Sequence, residues 1–256
     1  MKLTYPASLR GIGEWAASNR MRVAEAKFRF AQYGILQAVA DSRTLSQVLA
    51  FKGGNALDFV WQPNRSTRDL DFSSSDSTLT AEQLRTFLTP SLGRVSRSTG
   101  ILYRVQKMEQ QPPGPDRSFI TFEGKIGYAL SDDRRNRQLI QQDKSSNATV
   151  PLAVSLNDPI CGIVEVDIAS SNPLHVCQLE DIVAEKLRAL LQQPLRNRRR
   201  RTCSTSVLRC NRIRTWTSTL RQNSFWRRPE PATSPCRVRP FTKKRLGAAL
   251  SRDTTN

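Results

Sequence analysis

Phe51-Lys52-Gly53-Gly54-Asn55-Ala56-Leu57, followed by Arg68-Asp69-Leu70-Asp71-Phe72, is the stretch on which the reading of this chain turns. Side chains alternate along an extended strand, so Asp69 and Asp71 leave one face while Leu70 and Phe72 enter the other. Two acids on one exposed face repel each other. A divalent cation with oxygen ligands offsets that repulsion, and magnesium in particular keeps waters and phosphate oxygens as its remaining ligands. Gly53 and Gly54 lack a Cβ, so backbone N–H groups there can approach a phosphate closely, and Asn55 is placed to cap the helix that follows. These residue types suit a triphosphate carried with a metal. Taken alone, the glycine pair reads as a tight turn. The acids alone read as a solvated strand end or as partners of Arg65 and Arg68. Their succession favours a site.

A second stretch lies downstream, Leu179-Glu180-Asp181-Ile182-Val183-Ala184-Glu185-Lys186-Leu187-Arg188-Ala189-Leu190-Leu191. Lys52–Leu57 with Arg65–Phe72 resembles the first motif of the AbiEii/AbiGii nucleotidyltransferase toxins, a branch of the polymerase-beta-like nucleotidyltransferase superfamily. Residues 179–191 are similar to that family's lysine-bearing helix. The resemblance implies an α+β fold: a nucleotidyltransferase core with a small mixed sheet and flanking helices. It also implies a third acid on a strand beside the first pair. Ile163-Val164-Glu165-Val166-Asp167-Ile168 alternates apolar and acidic residues. Asp167 is therefore the first choice for that acid and Glu165 the second, with an edge strand presenting a wet face as the plain alternative.

What the resemblance implies chemically is a transfer of a nucleotide from a nucleoside triphosphate to an RNA or protein acceptor, with a cognate antitoxin as partner. Asp69, Asp71 and Asp167 would hold two magnesium ions, and Asp167 would help deprotonate the acceptor hydroxyl. Lys52, Gly53, Gly54 and Asn55 would bind the nucleotide, with Lys186 on its helix also holding the triphosphate. Lys52 reads equally as a strand-end lysine, and a helical lysine such as Lys186 is ordinarily a surface residue. Asn55 stands where the family commonly has Ser or Thr, so a hydroxyl donor is replaced by an amide.

The charge is unevenly spread. Of the 40 Lys and Arg, 17 follow position 195, against two of the 22 acids, so the net +18 resides mostly in the tail and residues 1–195 carry only +3. A basic tail of this kind suggests nucleic acid, because each cation that neutralises a phosphate releases a counterion. A non-catalytic basic nucleic-acid-binding protein is accordingly the rival reading, and an inactive remnant of the transferase a third. After Gln193 the sequence turns rich in Arg, Ser, Thr, Pro and Trp without a sustained apolar period, and such a segment buries too little to fold alone. The resemblance implies an Arg-Asp pair and an aromatic-Asp step there. Arg200-Arg201-Thr202-Cys203-Ser204 occupies the place instead, as expected of a degenerate continuation or a shift of reading frame near 198–202.

Three regions follow from this reading: a helical segment over 1–48, the core over 49–193, and the basic tail over 194–256. Within the core, the pattern predicts a strand at 48–51, a helix from Asn55 to about Trp61, and a strand at 69–72. A helix at 80–88 would be capped by Thr80 with Gln83 in the capping-box position. Strands are predicted at 101–105 and 119–128, a loop over 131–149, a strand at 163–168 and a helix at 180–193. Gly34 marks a possible bend in the N-terminal helices. Five cysteines without a CxxC pair and a single His argue against a zinc site. No run of about 18 apolar residues is present and the start lacks a secretory pattern, so no membrane contact and a cytoplasmic location are expected.

Overall fold

The computed structural model describes residues 9–61, 67–114, 119–156 and 158–192. The expectations for the tail, 194–256, including the frame shift and the nucleic-acid patch, lie outside these residues. Arg65 and Ser66 lie outside them too.

The described residues begin with a 3-10 turn (Leu9–Gly11), followed by α1 (Ile12–Ser18) and α2 (Val23–Asp41). The second helix passes through Gly34 unbroken, contrary to the expected bend. A Cβ at Gly34 would overlap the Tyr103 hydroxyl, which donates to the Ala31 carbonyl at 3.0 Å. The glycine therefore permits a close helix–strand approach rather than a change of direction. After α3 (Leu45–Val48), β1 (Leu49–Lys52) gives way at once to α4 (Gly53–Ala56) and a π-helical turn (Leu57–Trp61). The helix thus starts two residues earlier than the sequence suggested. Its N-cap is Lys52, without a side-chain cap bond, and Asn55 lies inside it.

The remaining elements are β2 (Leu70–Ser74), α5 (Ala81–Thr99), β3 (Leu102–Gln111), β4 (Thr121–Ala129), α6 (Arg134–Gln141), β5 (Thr149–Leu156), β6 (Ile163–Val166), β7 (Leu174–Cys177) and α7 (Leu179–Gln192). The capping box on α5 forms as expected, the Thr80 hydroxyl accepting from the Gln83 N–H at 3.2 Å and the Gln83 side chain accepting from the Thr80 N–H at 2.9 Å. The helix then continues through Pro90 to a left-handed Gly100. Two strands and one helix were not foreseen. Part of the expected 131–149 loop is α6, capped by Asp133, whose carboxylate accepts from the Asn136 N–H at 3.0 Å. β5 and β7 are the unforeseen strands.

The strands form one mixed sheet in the order β3-β4-β5-β2-β1-β7-β6. β1 and β2 are antiparallel, while β1–β7 and β2–β5 are parallel. Residues paired across a ladder share a face. On one face lie Phe122, Val154, Phe72, Phe51 and Val176, all buried, in a single apolar core with residues of α2 and α5. The Phe51 and Phe72 rings meet at 5.2 Å. Burying one such aromatic side chain is worth about 1.5–3 kcal/mol, enough to fix which face is inside. Once that face is fixed, the period of two sends Lys52 and Asp71 to the other. The expected mixed sheet with flanking helices is what the chain forms. No helix among the described residues is long and apolar enough to cross a membrane.

Candidate active site

The register of the sheet sets the site. Lys52 pairs with Asp71, Asp71 with Ala153, and Ala153 with Glu123, so one row crosses the face opposite the core. Asp71 is partly buried within β2; Asp69, just before the strand, is exposed. Burial raises the Asp71 carboxyl to about 6. Lys186 and Lys52 act against that rise, and the charges of Asp69 and Glu185 add to it. The two motif acids, both motif lysines and Glu185 therefore share one electrostatic environment, although they come from β1, β2 and α7.

Gly53 is needed twice over. Its φ of +78° lies in the left-handed region, and a Cβ at this position would overlap the Asp71 Oδ2. The glycine thus lets the backbone pass directly over the carboxylate. At Gly54 a Cβ would come within 2.9 Å of the Thr67 Cγ2. The first-turn N–H groups of a helix have no intrahelical acceptor, so those beginning α4 are donors beside a carboxylate.

Asn55 does something other than capping. It is fully buried, and its amide donates to the carbonyls of Thr67 (3.0 Å) and Asp69 (2.7 Å). Its Oδ1 accepts from the Thr67 N–H at 3.3 Å. The side chain is therefore turned toward the loop before β2 and is occupied there. Gln32 of α2 reaches the same loop.

Lys52 is also engaged. Its ammonium meets Asp158 at 2.5 Å and Glu185 at 3.7 Å, and the residue is only 7% exposed. It joins the segment after β5 and the helix of Lys186 to the end of β1. Asp181, in the first turn of α7, accepts from the N–H groups of Cys161 and Gly162 at 3.1 and 3.0 Å, so α7 is anchored at a second point. Between them lies a cavity of about 180 Å³, lined among others by Lys52, Ser73, Asp158, Cys177, Glu185 and Arg188. The cavity flanks the acids rather than covering them, and Lys52 belongs to both.

Neither candidate for the third acid stands level with Asp71 on the sheet. β6 runs antiparallel to β7 with Ile163 opposite Cys177, which is level with Lys52 and Asp71. Asp167 lies four residues further along and three strands across, which at ordinary strand spacings is on the order of 20 Å from Asp71. Its carboxylate accepts from the Ala169 N–H at 2.9 Å. Its charge acts on Tyr33, whose hydroxyl is pushed up to about 12 first by burial and second by Asp167. Glu165, the second choice, is exposed and lies 3.7 Å from His175 at the far edge of the sheet. The position beside Asp71 on β5 is Ala153, which offers no ligand. Among the described residues no cluster of three or more His, Cys, Asp or Glu is placed to hold a metal.

Sequence reasoning missed Gln32 and Asp158. No local signal marks them, since each acts through a contact distant in sequence.

Among curated proteins no match was found. Among solved structures, a candidate nucleotidyltransferase from H. pylori and JHP933 from Helicobacter pylori each share 16% identity with this chain at a TM-score of 0.37. Each alignment covers 63% of this chain, which spans 56% and 55% of the length of those two proteins. The family described as "Nucleotidyl transferase AbiEii toxin, Type IV TA system" matches residues 34–202, from the middle of α2 to beyond the lysine helix. With that match running across both motifs and more than half of its length, the chain belongs to the AbiEii family.

Proposed function

We propose that this protein is a metal-dependent nucleotidyltransferase, the toxin of a toxin–antitoxin pair, that moves a nucleotide from a nucleoside triphosphate to a macromolecular acceptor. The observation that carries the reading is the apposition of Gly53 and Asp71. A backbone stripped of side chain lies against a carboxylate that is charged only at a cost, next to a second acid and two lysines. Family membership supports the class of reaction and the antitoxin partner.

The residues present fit one magnesium ion better than two. A magnesium ion is commonly held by one or two carboxylates, with waters and substrate phosphates completing its six ligands. Asp69 and Asp71 are such a set, and their mutual repulsion favours a cation between them. The expectation of two ions had Asp167 complete the site of Asp69 and Asp71, and Asp167 lies by the edge strand β6. When bound, the ion would neutralise charge on the triphosphate and on the oxygens entering and leaving the transferred phosphorus.

The chain's own groups do the rest. The N–H groups of Gly53 and Gly54, at the start of α4, donate to phosphate oxygens, while the missing Cβ atoms leave room for Asp71 and Thr67. Lys186 brings positive charge to the same place. Lys52, on the same face as Asp71, keeps α7 and the segment after β5 at a fixed distance through Glu185 and Asp158. Asn55 gives no donor to the triphosphate, since its amide is already taken up by the loop. The acceptor is RNA or protein.

The test is transfer of label from α-labelled nucleoside triphosphates to a cell extract in the presence of magnesium. The proposal expects labelled RNA or protein with the wild type and none with Asp69→Asn or with chelator. Equal labelling by wild type and Asp69→Asn would refute it.

A further inference from the structure

Thr67, Arg68 and Asp69 form the approach to β2, and their three consecutive carbonyls all accept from buried side-chain amides. The Gln32 Nε2 donates to Thr67 and Arg68, each at 3.1 Å. The Asn55 Nδ2 donates to Thr67 at 3.0 Å and to Asp69 at 2.7 Å, while its Oδ1 accepts from the Thr67 N–H at 3.3 Å. Both carboxamides are fully buried, and they come from different elements, α2 and α4. The Thr67 carbonyl is shared between them. Gly54 makes this possible by letting Thr67 approach α4 closely.

A buried amide that lost these partners would be left desolvated without a hydrogen bond, so the two side chains hold the segment in one place. That place matters because α4 begins with Gly53, which faces Asp71, and the segment ends on Asp69. Gripping one from the other fixes the distance between phosphate donors and carboxylates.

We propose that Gln32 and Asn55 are a carboxamide clamp that positions Asp69 and Asp71 against the Gly53-Gly54 backbone, and that Asn55 serves the reaction through this role and not by contacting nucleotide. The proposal deepens the transferase reading and rests on it for its consequence, though not for the clamp itself. Three variants of the full chain test it: Asn55→Asp, which keeps shape but removes both donations; Gln32→Met, which keeps volume but removes the amide; and the pair.

Misplacement of reacting groups by about 1 Å costs up to about a hundredfold in rate, so each single variant should lower kcat by roughly ten- to a hundredfold while the KM for nucleotide stays within about threefold. The double variant should fall little below the worse single one, because both amides hold the same Thr67 carbonyl. A raised KM with kcat retained in Asn55→Asp would overturn the proposal by making Asn55 a nucleotide contact, and so would additive losses. Asn55→Ser, smaller and uncharged, replaces Asn55→Asp if the latter does not fold.

Amide hydrogen exchange separates failure of the clamp from failure of the transferase reading. If the wild type transfers nothing, the activity is wrong, and the clamp stands or falls on exchange in a peptide spanning 67–69. Faster exchange there in both single variants, with β3 and β4 unchanged, supports it. Unaltered exchange overturns it.

Discussion

β2 and β6 look alike on paper, and the structure treats them differently. Each is a short strand region with acids at alternate positions, Asp69 and Asp71 in one case and Glu165 and Asp167 in the other. Asp71 sits in the interior of the sheet between β1 and β5, under a glycine with positive φ and beside Lys52 and Lys186. Glu165 and Asp167 lie on the edge strand or just past its end, exposed, with a histidine and a backbone N–H as partners. Alternation sets the spacing of carboxylates; burial, opposed cations and a bare backbone decide whether they are costly enough to demand a ligand. A charge that water already satisfies has little to gain from a metal.

The comparison is broken or sharpened most strongly by exchanging roles. Asp71→Asn is expected to lower kcat/KM for nucleotide transfer by about a thousandfold or more, as for groups that stabilise transferred charge, whereas Asp167→Asn should change it by less than about twofold. Steady-state label transfer measures both. Comparable losses would mean that the two strands cooperate after all.

Gly53→Ala comes next. A side chain at a φ of +78° that also overlaps Asp71 should cost about 1–3 kcal/mol, seen as a lowered urea midpoint. Ala substituted at Gly13, where a Cβ meets nothing within 4 Å, should cost no stability.

Acid titration of stability probes the same carboxylate. Because Asp71 titrates higher in the folded chain than in the unfolded one, its protonation favours folding fully below pH about 4, and that contribution is lost as pH rises through about 6. The loss is on the order of 1–3 kcal/mol. Asp71→Asn should flatten this limb of the stability curve, and magnesium added at pH 7 should partly restore what the wild type has lost. Glu165→Gln, at the exposed strand, should change stability by less than about 0.5 kcal/mol.

Much of the β1–β2 unit was legible because its determinants are local. Alternation assigned Leu70 and Phe72 to one face and Asp71 to the other, the glycine pair ended the strand, and Thr80 with Gln83 announced α5. What could not be read were the determinants carried by register. Nothing in Glu165-Val166-Asp167 says that β6 would pair with β7 at a level that carries Asp167 away from Asp71. β5 was hidden by Pro151, which weakens a strand pattern. Its ladder with β2 begins at Leu152, so the proline meets only β4. α6 was hidden by its polar composition. Asn55 shows a different limit: the motif marked the residue, but its amide faces Thr67 rather than open space, a contact made twelve residues further along the chain.

The central claim is that one divalent ion, with nucleotide, is held at Asp69 and Asp71 alone. Titrating the full-length protein with manganese in the presence of a non-hydrolysable nucleoside triphosphate, followed by electron paramagnetic resonance, tests this most directly. The account predicts one bound ion per chain in the wild type and in Asp167→Asn, and loss of that ion in Asp71→Asn. Retention of the ion by Asp71→Asn, or its loss in Asp167→Asn, would contradict it.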